Sequence, residues 1–177
     1  EGSLIDEALA YCLYTQKKRV RRPGLPWGIS ESGYYAFDSM LNYQYKAPGV
    51  QVLGMIQGLD EELVLSPYSS FLALSLAPES ALGNLKRLQK LGLYADYGFY
   101  EAADFTSSRT GSCAFQPVRS FMAHHVGMSI AACANAVFGG IMQRRFMRNP
   151  ACRSAAGFLQ EKLQKGWVLY DRMDQKK

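Results

Sequence analysis

Two acidic residues of this chain stand in loops whose composition suits carbohydrate chemistry. Glu31 lies in the stretch GLPWGISES, residues 24–32, and Glu101 lies in YGFYEAADF, residues 97–105. Sugar rings stack on aromatic faces, and a pair of carboxylates does the proton transfer or the nucleophilic attack in glycoside chemistry. The pattern therefore predicts a carbohydrate site that uses Glu31 and Glu101. Ordinary turn or capping roles for both glutamates are the alternative.

The two histidines of the chain, His124 and His125, are adjacent. Neighbours on a helix point about 100° apart, and the i, i+4 spacing of helical metal ligands is absent. We therefore expect no metal site at this pair. One packed histidine, with the other lining a cavity or capping a loop, is the simpler expectation. The alternative is that one of them contacts substrate or holds a catalytic carboxylate.

Other classes of site lack their sequence signals. The chain has no nucleotide-binding glycine pattern and no G-x-S-x-G nucleophile elbow, so we expect no cofactor. The net charge of +5 comes partly from basic runs at 17–22 and 144–148, which are typical of solvated helix ends. No nucleic-acid motif accompanies them, so no nucleic-acid partner is expected. The four cysteines form no C-x-x-C pair, which favours reduced, mostly buried thiols in a cytoplasmic domain.

Helical elements must position the two glutamate loops. Apolar residues recur at helical spacing in six segments, which are residues 3–18, 66–76, 78–91, 118–138, 141–147 and 150–165. Residues 27–55 have no sustained period and read as a long structured loop, with room for a short strand or helix inside it. The weakly charged stretch 121–142 is predicted to be a buried core helix rather than a membrane span, since it carries polar residues. These patterns predict a mainly α protein of stacked helical hairpins with at most short strands, with residues 1–177 as one domain and 166–177 as its tail.

The same residues resemble a known family. Four stretches carry the resemblance in order and approximate spacing, over roughly residues 3–150, and they are GLPWGISESGYYAFDSMLNYQYKAPGV, LVLSPYSSFLAL, YGFYEAADFTSSR and RSFMAHHVGMSIAACANAVFGGIMQRRF. Together they resemble the central glycoamylase-like region of cyclic β-1,2-glucan synthases. This resemblance implies an (α/α)6 toroid and a transglycosylase that closes a β-1,2-glucan ring.

The resemblance also implies roles for individual residues. Glu31 and Glu101 match the catalytic or substrate-contacting carboxylates, without a division into nucleophile and acid/base. Trp27 is then a stacking platform. The other implied substrate-binding residues are Tyr34, Tyr100, Asp104, Arg109, His124 and His125.

The length of the chain limits these implications. A six-hairpin toroid needs about twelve helices, and twelve helices of about 11–12 residues with their loops need more residues than the 177 of this chain. The chain therefore resembles only the C-terminal half of the region. We expect the isolated fragment to be inactive and to self-associate or be marginally stable. Its expected partners are β-1,2-glucan, the remaining half of its catalytic domain, and flanking glycosyltransferase and phosphorylase-like domains. The family implies a cytoplasmic location on a bacterial inner-membrane protein, with this part soluble. A non-catalytic glucan-binding or scaffold module and an endo-β-1,2-glucanase-like hydrolase are the alternatives.

Overall fold

A computed structural model describes residues 3–20 and 24–162 of the chain. Within these ranges the chain is rich in helix, and its strands are short. The helices are α1 (Leu4–Arg19), α2 (Pro67–Leu72), α3 (Pro78–Lys90), α4 (Ser107–Thr110), α5 (Ala123–Val137), α6 (Ile141–Phe146) and α7 (Pro150–Ala155). The strands are β1 (Ser32–Phe37), β2 (Tyr43–Lys46), β3 (Val64–Leu65), β4 (Tyr94–Ala95), β5 (Gly98–Phe99), β6 (Ala102–Asp104) and β7 (Gln116–Val118). The predicted tail, 166–177, lies outside the described residues. No described helix is long and apolar enough to cross a membrane.

A three-stranded antiparallel sheet, in the order β3-β6-β7, lies at the centre of the core. Its middle strand, β6, follows Glu101 directly. Ala102 and Ala103 of β6 are both fully buried, and they belong to different apolar clusters because successive side chains of a strand point to opposite faces. Ala102 packs with Val64 and Val118, while Ala103 belongs to the cluster of Leu88 on α3. The sheet therefore fixes the backbone on which Glu101 stands.

The segment from 27 to 55, predicted as a long structured loop, contains an antiparallel hairpin of β1 and β2. Strand β1 contacts both β6 and β7 of the central sheet. The hairpin begins directly after Glu31 and carries Tyr45 on its second strand. It therefore brings the first glutamate loop to the same side of the core as the second.

Most of the predicted helices form, with shifts at their ends. Ser3 caps α1 through a capping box with Asp6, and Gly92 ends α3 in a left-handed conformation with φ of 78°. The fifth helix begins at Ala123 rather than 118, because Val118 is paired with Ala102 in the central sheet.

The expectation that this fifth helix lies in the core is wrong for the described chain. His125 is the one buried residue of α5, whereas Ile130 and Val137 are 64% and 73% exposed. No described element covers that apolar face. The expectation of mostly buried thiols is also wrong, since Cys12 and Cys113 are exposed; all four cysteines are free, as predicted.

Candidate active site

The loop that precedes Glu31 is held by two side-chain amides. Asn84 on α3 accepts from the backbone N–H of Trp27 at 3.0 Å and donates to its carbonyl at 2.7 Å. Gln16 on α1 does the same for Ile29, with both distances at 2.7 Å. Each amide substitutes for one residue of a neighbouring strand, so a segment outside the sheets keeps its backbone groups paired. The loop is therefore anchored on both sides before the chain reaches Glu31.

Trp27 belongs to this anchor rather than to a sugar-binding surface. Its side chain lies in the core and is only 6% exposed. A ring that stacks on a sugar must present an open face, so the expectation of a stacking platform at Trp27 does not fit its burial.

Gly28 lets the loop approach α2 closely. Its φ of 129° is in the region that side chains rarely adopt, and a Cβ there would lie 2.3 Å from the Oγ of Ser69. The carbonyl of Gly28 accepts from the N–H of Ser66, whose hydroxyl in turn donates to the carbonyl of Glu101 at 2.8 Å. Ser66 thus connects the two glutamate loops.

Glu101 is buried, with 4% of its surface exposed, and its carboxylate is hydrogen-bonded on both oxygens. Oε1 accepts from the backbone N–H of Gly33 at 3.1 Å. Nδ1 of His125 lies 2.9 Å from Oε1 and 3.0 Å from Oε2. A Cβ at residue 33 would lie 3.4 Å from Cγ of Glu101 and 3.2 Å from Val118, so a glycine allows this close approach. The carboxylate is held in one orientation by groups from β1 and α5.

His125 is fixed by the ring of Tyr68 as well as by Glu101. The two rings stack with centroids 3.8 Å apart and an angle of 10° between their planes. An ionised carboxylate only accepts hydrogen bonds, so a hydrogen bond between the two groups places a proton on Nδ1 of His125, and Nε2 is the nitrogen that Glu101 leaves open. His125 therefore holds the carboxylate of Glu101, as in the sequence-based alternative in which one histidine holds a carboxylate of the site.

The second histidine converges on the same point, together with Glu31. The Nε2 atoms of His124 and His125 each lie 3.4 Å from the hydroxyl of Tyr45. One carboxylate oxygen of Glu31 and one nitrogen of each histidine lie within 4.8 Å of one another. The expectation that adjacent histidines diverge is therefore wrong here. Both stand in the first turn of α5, and their side-chain torsions bring the rings to 3.9 Å between centroids.

Burial and the negative charges of Glu31 and Glu101 raise the pKa of two nearby tyrosines, Tyr45 and Tyr68. Burial raises the pKa of Tyr68 to about 12, and the negative charges of Glu31 and Glu101 add to the effect despite an opposing hydrogen bond with Ser30. The pKa of Tyr45 is raised by desolvation first and then by the same two carboxylates. Both phenols therefore stay protonated at neutral pH and remain able to donate hydrogen bonds. Neither tyrosine was predicted from the sequence as a site residue, although Tyr45 belongs to the loop 27–55 and Tyr68 to the stretch LVLSPYSSFLAL.

An aromatic cleft opens beside Glu101 and His125. Its volume is about 480 Å³. Most of its walls are apolar, and the aromatic side chains that line it are Tyr68, Phe71, Tyr94, Tyr97, Phe99, Tyr100 and Phe121. Of the nine residues that the sequence suggested, Tyr100, Glu101 and His125 line the cleft. Glu31 and His124 are exposed and lie beside His125, outside the lining of the cleft.

Three of the other suggested residues, Tyr34, Asp104 and Arg109, form an ion-pair anchor at the β1–β2 hairpin. Asp104 is fully buried and accepts from Arg109 at 2.6 Å, as well as from the backbone N–H groups of Thr106 and Tyr35. The ring of Tyr34 contacts two cations, with Arg109 at 4.9 Å and Lys46 at 4.3 Å from its centroid.

These contacts engage both carboxylate oxygens of Asp104. Asp104 and Arg109 therefore position the hairpin, and a role for them and Tyr34 in binding glucan stays a prediction. Arg109 also pairs with Glu62 at 2.7 Å, which ties the anchor to the segment before β3.

We expect the anchor to make stability depend on acid pH. Burial by itself would raise the pKa of Asp104, but the hydrogen bonds from Arg109, Thr106 and Tyr35 outweigh it, and the pKa lies below its ordinary value of 3.8. A lowered folded-state pKa contributes stability above the unfolded-state value, and this stability is lost as the pH falls through the folded-state value. Asp104→Asn is therefore expected to cost about 3 kcal/mol or more of unfolding free energy at pH 7, and less below about pH 4. Urea unfolding across pH measures both.

A matched control for this prediction is Asp60→Asn. Asp60 pairs with Arg19 at 2.8 Å, but its side chain is 52% exposed, so its loss is expected to cost less than about 1 kcal/mol. A difference between wild type and Asp104→Asn that is the same at pH 7 and pH 3 contradicts the assignment of the acid dependence to Asp104.

Known proteins are similar to this chain in sequence and in fold. Residues 4–150 match the model of the glycoamylase family, described as "Putative glucoamylase". The chain is 42% identical to the cyclic β-(1,2)-glucan synthase NdvB of Rhizobium meliloti (strain 1021) over 165 residues, which are 92% of this chain and 6% of that protein. The chain thus spans a small part of this relative.

Solved structures share the fold at lower identity. A "putative glucoamylase" of Bacteroides fragilis superposes with a TM-score of 0.58 at 20% identity, over 87% of this chain and 34% of that one. An endo-β-1,2-glucanase of Chitinophaga pinensis, solved with sophorotriose and glucose, gives a TM-score of 0.53 at 19% identity, over 85% of this chain and 32% of that one. The described residues correspond to about a third of each of these structures.

Proposed function

The chain belongs to the glycoamylase family, and we propose that within it Glu31 and Glu101 form the carboxylate pair that transfers glycosyl units of a β-1,2-linked glucan. One observation carries the proposal. Both glutamates lie at the same histidine, with Glu101 on Nδ1 of His125 at 2.9 Å and Glu31 within 4.8 Å of one of its nitrogens. Two carboxylates that flank one small volume beside an aromatic cleft are what glycosidic bond cleavage requires.

The surroundings of the two glutamates favour different roles. Glu101 is buried in the cleft wall, and its oxygens are oriented by Gly33 and His125, which suits attack on the anomeric carbon. Glu31 is exposed beside the protonated phenol of Tyr45, which suits a group that must exchange protons with solvent in each cycle. We therefore assign Glu101 as nucleophile and Glu31 as acid/base.

The reaction then runs in two displacements. Glu101 forms a bond to the anomeric carbon as the glycosidic C–O bond breaks, and Glu31 gives its proton to the departing 2-oxygen. The 2-hydroxyl of the other chain end then attacks the glycosyl-enzyme and returns its proton to Glu31. Two inversions conserve the β configuration, so the product is a ring of β-1,2 linkages. Attack by water instead would give the hydrolase alternative.

The lining of the cleft supports a glucan as substrate. Tyrosine and phenylalanine rings offer faces for glucose units, and about 480 Å³ is enough for a few sugar rings. The β-1,2 linkage comes from the relatives, since one is a cyclic β-(1,2)-glucan synthase and another was solved with sophorotriose. A non-catalytic glucan-binding module would use the same cleft without Glu31, which lies outside its lining.

We further propose that the chain works as part of a larger catalytic region. It covers about a third of the solved structures that share its fold and 6% of the synthase. The apolar face of α5 is uncovered among the described residues. In this proposal the remaining part of an (α/α)6 toroid covers that face, with glycosyltransferase and phosphorylase-like domains beyond it, at the cytoplasmic side of a bacterial inner membrane. Alone, the chain self-associates and gives no turnover.

A chimeric synthase, in which this chain replaces the matching segment of the Rhizobium meliloti protein, tests the function. Incubated with linear β-1,2-glucan, it is expected to form cyclic glucan, whereas linear β-1,3-glucan is expected to stay unchanged. The isolated chain is the comparison and is expected to give neither ring nor shortened chains. Accumulation of short linear products in place of rings would support the hydrolase, and glucan binding without any product would support the non-catalytic module.

A further inference from the structure

A second chemistry is available at the point where Glu31, His124 and His125 meet. Their three ligand atoms lie within 4.8 Å of one another, and among the described residues no other group of three such side chains does so. Two imidazole nitrogens and one carboxylate are the donor set of many zinc sites. In the proposed glycosyl transfer, Glu31 is the acid/base and His124 has no assigned role.

The site has an ordered outer shell on one side. Glu101 accepts from Nδ1 of His125, and the ring of Tyr68 stacks on the imidazole at 3.8 Å. A carboxylate on the far nitrogen of a histidine fixes its tautomer and raises its basicity, which is the usual outer shell of a histidine metal ligand. Nε2 of His125 is therefore turned towards the point that His124 and Tyr45 also reach.

The geometry points to a binding site for one divalent transition-metal ion of the Zn²⁺ class, with ligands from Glu31, His124 and His125. Zn–N and Zn–O distances are about 2.0–2.2 Å, so the ligand atoms must close by a small side-chain movement. Glu31 and His124 are exposed and able to make it. The hydroxyl of Tyr45 or a water completes four-coordination. Mg²⁺ and Ca²⁺ prefer oxygen ligands, so two imidazoles select against them.

A metal ion at this site has a consequence that rests on the proposed function. A carboxylate that ligates Zn²⁺ is no longer available to carry a proton, so metal binding and glycosyl transfer exclude each other at Glu31. Zn²⁺ is therefore expected to inhibit the chimeric synthase, and a chelator is expected to restore ring formation.

The binding itself is tested on the isolated chain without glucan. The chain contains only two histidines, so in tag-free, ¹⁵N-histidine-labelled protein every imidazole signal belongs to this site. Titration with ZnCl₂ is expected to shift both Nε2 signals with saturation at one ion per chain by calorimetry. Nδ1 of His125 is expected to keep its proton, while MgCl₂ at the same concentrations leaves the spectrum unchanged.

Two exposed ligands allow substitutions with little risk to folding. Glu31→Gln and His124→Ala are each expected to weaken Zn²⁺ binding at least about 10–100-fold, the cost of losing an outer-shell partner. Glu79→Gln is the matched control, because Glu79 is exposed in the first turn of α3 and outside the cluster; it is expected to bind as wild type does.

Histidine signals that do not move in excess Zn²⁺, or affinity that is unchanged in both ligand variants, would overturn the metal site. Tight binding without inhibition of the chimeric synthase would keep the metal site and remove Glu31 from the glycosyl transfer. The binding experiment therefore tests the metal site, and the inhibition experiment tests the role of Glu31 in glycosyl transfer.

Discussion

Replacing Glu101 by glutamine in the chimeric synthase is expected to abolish ring formation, with a rate loss of about 10³-fold or more. Glutamine keeps the size of the side chain and can still accept from Gly33 and His125, the two donors that hold the carboxylate. The fold is therefore expected to survive, while the amide cannot form the glycosyl-enzyme. An aryl glycoside of the 1,2-linked disaccharide, whose leaving group needs no proton, is expected to fail equally, because the nucleophile is needed for every substrate.

The measurements are product analysis from linear β-1,2-glucan and release of the aryl alcohol, with circular dichroism as a check of folding. Glu79→Gln is again the control, since it removes one carboxylate from an exposed position on α3. If Glu101→Gln consumes the aryl glycoside at the wild-type rate, Glu101 is not the nucleophile, and its contact with His125 has another purpose.

Replacing Glu31 by glutamine is expected to slow ring formation about 10²–10⁴-fold, the range for a lost general acid/base. The aryl glycoside separates this variant from the first. Its leaving group departs without a proton, so the first displacement proceeds and releases one equivalent of aryl alcohol in a burst. The second displacement lacks its base, so the glycosyl-enzyme accumulates. The opposite patterns of the two variants follow from the two proposed roles, which rest on the burial of Glu101 in the cleft wall and the exposure of Glu31.

Azide provides the decisive measurement for Glu31. As an anionic nucleophile it needs no base, so it is expected to restore turnover of the aryl glycoside by Glu31→Gln and to yield a β-glycosyl azide. It is expected not to restore Glu101→Gln. Ring formation at the wild-type rate by Glu31→Gln, without azide, would remove Glu31 from the reaction and leave the carboxylate pair incomplete.

Much of the fold could be predicted from local patterns. The period of the apolar residues predicted the third helix almost to the residue, because the buried Leu85 and Leu88 of α3 lie on one helical face. The β1–β2 hairpin was harder to predict. Its strands alternate only weakly in burial, and its hold on the core comes from the buried ion pair of Asp104 and Arg109. Asp104 and Arg109 are far from the hairpin in sequence, so their contact with it leaves no signal in the hairpin's own residues.

The family resemblance is confirmed by the match over residues 4–150 and by the synthase relative. The sequence predicted one site that uses both glutamates, but the way in which they converge could not be predicted with the same means. It depends on Gly33, which donates to Glu101 from the neighbouring strand, and on His125, which reaches it from α5. The catalytic roles of both glutamates stay predictions.

Several expectations from the sequence do not fit the structure because they lacked three-dimensional context. The resemblance implied an open stacking face at Trp27, yet Asn84 holds its backbone in the core and the side chain is buried. The apolar composition of α5 indicated a core helix, but composition does not say which surface covers it. The divergence of His124 and His125 followed from helix geometry at Cβ, whereas flexible torsions beyond Cβ bring their ring nitrogens together.

The fully buried alanines between Glu101 and Asp104 have a consequence for how this protein can evolve. Ala102 and Ala103 face opposite apolar clusters, so a larger side chain at either would push the sheet apart, and a one-residue insertion would exchange the two faces. Either change would move the proposed nucleophile and the carboxylate of the anchor at the same time. Selection for folding and selection for activity therefore act on the same short stretch. Lineages that lose the activity and keep the fold are expected to have changed the side chain at residue 101 and to have kept both alanines.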